Sequence, residues 1–425
     1  MSDIVKTMIA DRRRLHARPE EGWCEFETTY LIVARLRALG FEVWTGDRAV
    51  DPEHALGRDP KLVEAAAARA SAHGVPQVFL DETKGYTGAV GVWKTGRPGP
   101  VTALRFDIDA LPIDETTDAE HEACRGGYRS EIPGFSHACG HDGHTAVGLG
   151  VAAWVAENAD KLCGTVKLLF QPAEEGVRGA AAMTARGVVD DVDWFAGAHI
   201  GCSARLGQVG VSHHGYLATT KFDLDITGVP SAAGSPEKGK SALMCGAALC
   251  MSLGSLPGHS GGITRVQIGK FNSGTGRNIV AEHASLVMEV RGETTEINDY
   301  MAKAVESTVS GITAAYGCTY DLRRVGEAVT YRGDEEAVEL IKSAAAEVPG
   351  VDSVVDMNAK VGSEDCTVLI RRVQEHGGKA VFFYFGCNHH GHHRHDFEIQ
   401  DETSLAIGWG VFTGFLKRTN GLQAV

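Results

Sequence analysis

Lys221-Phe-Asp-Leu-Asp-Ile-Thr227 alternates polar and apolar side chains without a break. A strand turns successive residues to opposite faces, so this stretch predicts a strand with one face buried and one wet. Further along, a helix is predicted from about Ser241, followed by strands over 264–268 and 286–290. Next comes a helix capped by Asn298, with Met301, Val305, Val309 and Ile312 at helical spacing. Residues 320–325 close the unit as a strand. The order β-α-β-β-α-β is ferredoxin-like. Residues 218–327 are therefore expected to form an inserted α+β domain, with 1–217 and 328–425 making a second, discontinuous one.

The flanks read differently. Residues 101–106, 166–170, 195–200 and 380–385 are short apolar runs rich in β-branched and aromatic side chains, as strands covered on both faces are. Between them lie helical patterns such as 145–155, apolar almost all round and so expected to be buried. Strands alternating with helices predict an α/β sheet with helices on both faces. An Ala-rich stretch over 59–72 predicts a surface helix in an insertion, to which no function is assigned.

The 425 residues carry 41 basic and 55 acidic side chains, a net charge of −14, and are 43% hydrophobic. The apolar fraction is that of a globular protein, and the length suits two or three domains. The acidic balance argues against nucleic acid or an anionic membrane as the main partner. The N-terminus has no signal-peptide core, and no stretch approaches the roughly 18 apolar residues of a membrane span. Ten cysteines spread over the chain read as reduced thiols in a cytoplasmic protein. Together with 18 histidines they are the anomaly of the composition.

Four pieces carry chemistry, each near or after a strand-like run, where ligands gather in open α/β sheets. In His137-Ala-Cys-Gly-His141-Asp-Gly-His144, a thiol and several imidazoles suit Zn, Co or Mn, and Asp142 is placed to hold one imidazole in its tautomer. In Phe170-Gln-Pro-Ala-Glu174-Glu175-Gly176, one carboxylate can ligate a metal while its neighbour takes a proton from the attacking water. His199 ends an apolar run and alone reads as a satisfied core histidine. His389-His-Gly-His-His393-Arg-His395 holds five histidines in seven residues. Taken singly, these have bland readings: a polar loop, a solvated charge pair, a non-specific metal-binding loop. Taken together, Cys, His, Glu, His and His with a spare Glu point to a metal-dependent hydrolase.

At this point the chain resembles the M20 metallopeptidase and amidohydrolase family, in its bacterial amidohydrolase branch, over almost its whole length. The signposts are Arg14-Leu-His-Ala-Arg-Pro-Glu20, Arg105-Phe-Asp-Ile-Asp-Ala-Leu-Pro112, His137-Ala-Cys-Gly-His141, Gln171-Pro-Ala-Glu174-Glu175-Gly176, Gly276-Arg-Asn278, Gly362-Ser-Glu-Asp365 and the C-terminal histidines. The resemblance implies an exopeptidase-like catalytic domain, a mixed sheet flanked by helices, with the insertion serving as lid and dimerisation surface of a homodimer. It implies one or two divalent ions (Zn, Mn or Co). Their ligands would be Cys139, placed to bridge two ions, with His141, Glu175, His199 and His393. Glu174 would be the general base. Asn278 and Arg291 would hold a substrate carboxylate, for which a guanidinium fork is suited.

One departure bears on the reaction. Where the family carries Gly-Lys-Ala-Ala-His-Ala after the first strand of the insertion, this chain has Gly228-Val-Pro-Ser-Ala232-Ala. The family's histidine, which reaches the scissile carbonyl oxygen across the dimer, is replaced by Ala232. Losing one oxyanion donor costs about 10²–10³ in rate. His213, His214 and His259 are the candidate substitutes. The expected activity is hydrolysis of a C–N bond in a small aromatic carboxylate, as amide hydrolysis of an aminobenzoyl-amino acid. The alternative is hydrolytic deamination of an activated aminobenzoate, which has no carbonyl oxyanion. A non-catalytic metal-binding protein is the third reading, weakened by a base beside a ligand.

Overall fold

In the computed structural model, residues 2–358 and 362–422 are described. The chain divides into two compact units. The first holds the described residues of Met1–Gly215, Tyr331–Ala359 and Asp365–Val425; the second holds Tyr216–Thr330 with the short stretch ending at Glu364. In chain order the strands of their main sheets are β1 (Glu42–Thr45), β2 (Ala89–Lys94), β3 (Val101–Asp107), β4 (Thr165–Gln171), β5 (Trp194–Ile200), β6 (Gln208–Ser212), β7 (Ala218–Thr227), β8 (Thr264–Ser273), β9 (His283–Gly292), β10 (Thr319–Ala328), β11 (Ser353–Asp356) and β12 (Lys379–Phe385).

The first unit is built on a mixed sheet of order β1-β2-β4-β3-β5-β12-β6-β11. Its centre, β4-β3-β5-β12, is parallel throughout. In each of these strands every residue after the first is buried. Helices cover parallel strands on both faces, which is why the sequence shows continuous apolar runs there rather than alternation. The strands extend beyond the apolar runs to Asp107 and Gln171, polar residues that are buried at the carboxyl ends.

The helix His141–Glu157 begins four residues before the predicted 145, because its first turn is made of His141, Asp142 and His144 rather than apolar side chains. Gly140 caps it at φ 88°, and a Cβ there would lie 2.5 Å from Ile200 Cγ2, so glycine alone fits. Helices Asp3–Ala17 and Asp401–Asn420 pack against it. The Ala-rich stretch forms helix Pro60–Ala72, capped by Asp59, with Val63, Ala66 and Ala70 turned inward.

The second unit is a four-stranded antiparallel sheet of order β8-β9-β7-β10 with helices Ala242–Gly254 and Thr295–Tyr316. This is the ferredoxin-like order read from the sequence. Phe222, Leu224 and Ile226 of β7 are buried against Leu286, Met288, Val290, Leu249 and Val305, while Asp225 and Thr227 face out. Each such apolar side chain contributes about 1.5–3 kcal/mol when fully buried. The cap assignment differs from the expectation. Thr294 caps the second helix, accepting from Ile297 N, and Asn298 is buried one turn in, where its Nδ2 donates to Thr220 Oγ1 at 2.7 Å. An amide that reads as a cap serves instead as a buried tie between helix and sheet. Among the described residues no helix is long and apolar enough to cross a membrane.

Candidate metal centre

The carboxyl ends of the central strands meet the N-terminus of helix His141–Glu157. β3 delivers Asp107 and, two residues on, Asp109; β4 leads into Glu174 and Glu175; β5 delivers His199; β12 leads into the histidine loop. Cys139 and His141 flank the capping glycine.

These donors fall into overlapping groups, each with ligand atoms within 4.8 Å of one another: Cys139, Glu175 and His393; Cys139, His199 and His392; His141, Glu174 and Glu175; Asp107, His141 and His144. The five ligands expected from the sequence, and Glu174, thus share one place. Cys139 belongs to two of the groups. Its Sγ lies 3.4 Å from His199 Nε2 and 3.7 Å from His392 Nδ1. His141 Nε2 lies 3.9 Å from Glu174 Oε2 and 4.0 Å from Glu175 Oε1, while His393 Nε2 lies 3.5 Å from Glu175 Oε1.

Hydrogen bonding sorts the imidazoles. His199 Nδ1 donates to the carbonyl of Ile200 at 2.8 Å, leaving the Nε2 lone pair toward Cys139. His144 has no lone pair to spare: its Nε2 accepts the Ile200 N–H at 2.8 Å and its Nδ1 bonds to Asp107. His392 is similar, since its Nε2 accepts the Cys202 N–H at 2.9 Å and its Nδ1 faces the Cys139 sulfur. His137 is buried and lies outside the four groups.

Sequence reasoning missed several supporting residues. Asp142 does hold an imidazole, but that of His16 (2.8 Å) rather than one in its own motif, and it also pairs with Arg12. The motif's His144 is held by Asp107, which Arg105 Nη1 meets at 2.7 Å. Asp109 accepts Glu174 N–H at 3.0 Å and Glu175 N–H at 2.9 Å. The legible signal for Asp107 and Asp109 was their position just past a strand-like run.

The electrostatics fit a cation. His141 Nε2 and Glu175 Oε1 are buried without hydrogen-bond partners, a cost of about 1–3 kcal/mol per group unless something binds them. Burial opposes charge on His141, yet Asp107, Asp109 and Glu175 raise its pKa to about 10, a measure of the negative charge around it. Burial, reinforced by His144 and His392, holds His199 well below its ordinary value, so it is a neutral imidazole, the form that ligates. Burial next to Glu175 and Glu174 pushes the Cys139 thiol up, the opposite of what a resident cation does to a thiol. Thiol, imidazole and carboxylate donors in this proportion suit a transition metal.

Residues 103–418 match the sequence pattern of Peptidase family M20/M25/M40. The chain belongs to that family, and is a metal-binding hydrolase of C–N bonds. Its sheet and helices have the family's mixed α/β fold. It is 42% identical to a p-aminobenzoyl-glutamate hydrolase subunit homolog of Haemophilus influenzae, over 97% of this chain and 98% of that one. It is 43% identical to the indole-3-acetyl-aspartic acid hydrolase of Enterobacter agglomerans, over 95% of this chain and 94% of that one. The crystal structure of the aminobenzoyl-glutamate utilization protein from Klebsiella pneumoniae superposes with a TM-score of 0.84 at 36% identity, covering 98% of this chain and 96% of that one.

Within the second unit, Ala232 is exposed in a two-residue strand paired with Ile279, next to Asn278, whose carbonyl accepts the Ala233 N–H at 3.0 Å. Arg291, on β9, is half-buried and its Nε donates to Glu289 at 2.8 Å. His259 stacks edge-on against Tyr300. In the first unit, His213 is held by Asp356 at 2.9 Å.

Proposed function

We propose that this hydrolase cleaves the amide bond between an aromatic acyl group and an amino acid, as in an aminobenzoyl-amino acid. What carries the reading is that Glu174 and Glu175, adjacent in sequence and both fixed by Asp109, lie 3.9 and 4.0 Å from the same His141 nitrogen. One carboxylate is then free to ligate while the other handles the proton. The names of the two full-length relatives, both hydrolases of aryl-acyl amino acids, support the acyl and amine halves of the substrate.

In this reading Cys139, His141, Glu175, His199 and His393 would hold one or two divalent ions, Zn, Mn or Co. A divalent ion supplies Lewis-acid polarisation of the carbonyl and lowers the pKa of water. Glu174 takes a proton from the attacking water, whose oxygen bonds to the carbonyl carbon. Glu174 then hands that proton to the amide nitrogen as the C–N bond breaks. Asn278 and Arg291 hold the substrate carboxylate, Arg291 exchanging its contact with Glu289 for it. The ferredoxin-like unit serves as lid and as the contact surface of a homodimer. Ten free cysteines suit the reducing cytoplasm.

Ala232 favours a second reading. Without the family's histidine, a reaction that builds no oxyanion at a carbonyl loses nothing. Water oxygen adding to the amine-bearing carbon of an activated aminobenzoate would spread charge into the ring, and ammonia would leave with the proton held by Glu174. Incubation of the metal-loaded protein with an aminobenzoyl-amino acid, and separately with a nitro-substituted aminobenzoate, distinguishes the two. Release of free amino acid supports amide hydrolysis. Release of ammonia with a hydroxylated ring supports deamination and overturns the first reading.

A further inference from the structure

The Arg14–Glu20 signpost and the turn that follows it are absorbed by no step of the reaction. The turn, Glu21-Gly-Trp-Cys-Glu25, packs beneath the loop carrying Glu174 and Glu175. A Cβ on Gly22 would lie 2.9 Å from Ala173 Cα, so the two backbones touch. Trp23 sits at φ 69° and Ala173 at φ 52°, left-handed conformations that cost a non-glycine residue about 1–2 kcal/mol each. Val177, at φ 58°, is a second strained position in that loop. A loop held in such a shape needs partners that over-determine it.

Those partners are two carboxylates. Glu25, fully buried, accepts the Ala173 N–H at 2.8 Å through Oε1 and the Thr87 hydroxyl at 2.5 Å through Oε2. Asp109, 1% exposed, accepts the next two N–H groups, of Glu174 and Glu175. Three consecutive backbone donors are thus clamped by side chains 148, 65 and 66 residues away in sequence. The Glu25 side chain itself touches none of the candidate ligands through any of these bonds.

We infer that Glu25 is a positioning residue of the metal centre: by clamping Ala173 N–H against Thr87 it sets the strained loop that aims Glu175 at the ion and Glu174 at the attacking water. The inference rests on the ligand role of Glu175. Supporting groups of this kind typically change metal affinity by 10–100-fold when removed.

The test is isothermal titration of the chelator-stripped full-length protein with Mn²⁺ and Co²⁺, together with the Co²⁺ absorption spectrum. Glu25→Ala is expected to weaken metal binding 10–100-fold and to alter the Co²⁺ spectrum. Glu25→Gln, which keeps an oxygen for Ala173 N–H, is expected to restore affinity to within about threefold. Leu249→Ala, a core truncation in the other unit, controls for lost stability and should leave affinity unchanged. Glu25→Ala with wild-type affinity and spectrum overturns the inference, as does Glu25→Gln binding as poorly as Glu25→Ala. Thr87→Val, which removes only the hydroxyl partner, should shift affinity in the same direction by less if Glu25→Ala fails to fold; no shift overturns the inference. Glu175→Ala separates the layers: if it binds metal normally, the ligand reading has failed; if it loses metal while Glu25→Ala does not, only the clamp has failed.

Discussion

His199 donates its Nδ1–H to the carbonyl of Ile200, and His144 accepts that same residue's N–H. One peptide unit's neighbourhood therefore gives two adjacent imidazoles opposite tasks. His199 is left with a lone pair facing Cys139, and His144 with none. His199→Ala should abolish binding of one ion, lowering metal affinity at least 100-fold, whereas His144→Gln should cost roughly 10-fold, as a supporting residue does. Metal content after dialysis, measured for both variants, checks this; equal losses would refute the division.

Glu174→Gln keeps the shape of the side chain and removes its basicity. Turnover should fall by about 10²–10⁴, the usual worth of a general acid–base, with metal affinity within threefold of wild type. Retained turnover would remove Glu174 from the proton path.

Removal of metal should destabilise the fold, because the folded chain alone presents the assembled donors. At a metal concentration of 100 times Kd the stabilisation is about 2.7 kcal/mol, visible as a fall in Tm on chelation that Mn²⁺, Zn²⁺ or Co²⁺ reverses. Because burial beside Glu175 and Glu174 keeps the free Cys139 thiol protonated, ligation must release that proton. Affinity should therefore rise with pH, and proton release should be measurable as a buffer-dependent heat of titration.

His16 offers a pH test separate from the metal. Burial and Arg12 oppose its charge, but Asp142 at 2.8 Å and Glu115 at 2.7 Å prevail and raise its pKa above the ordinary 6.5. A histidine whose folded pKa is raised contributes stability that is fully present below the unfolded value and lost as pH rises through the folded one. Tm of the wild type should fall across that interval, and His16→Gln should show a flatter profile over the same pH range.

Ala232→His restores the side chain the family carries. If the amide reading holds, amidase turnover should increase by up to about 10²–10³, measured as free amino acid released per unit time. Unchanged turnover would mean that position 232 does not serve the carbonyl, and would remove the observation on which ring deamination rests.

What the sequence determined by itself is local and periodic. Alternation in Lys221–Thr227, apolar runs in the central strands and the β-α-β-β-α-β order depend on which face of an element is buried, and that is written in neighbouring residues. The donor types were legible for the same reason: Cys139, His141, Glu174, Glu175 and the C-terminal histidines stand in short motifs. Tertiary structure decided everything that depends on a second hydrogen-bond partner from a distant segment. Asp142 turned to His16, 126 residues away, and not to an imidazole of its own motif. Asp109 and Glu25 took the backbone of the Glu174–Glu175 loop, and Ile200 divided the work of His144 and His199. An imidazole's tautomer and a loop's conformation are set by what meets them in space, and sequence separation carries no record of that.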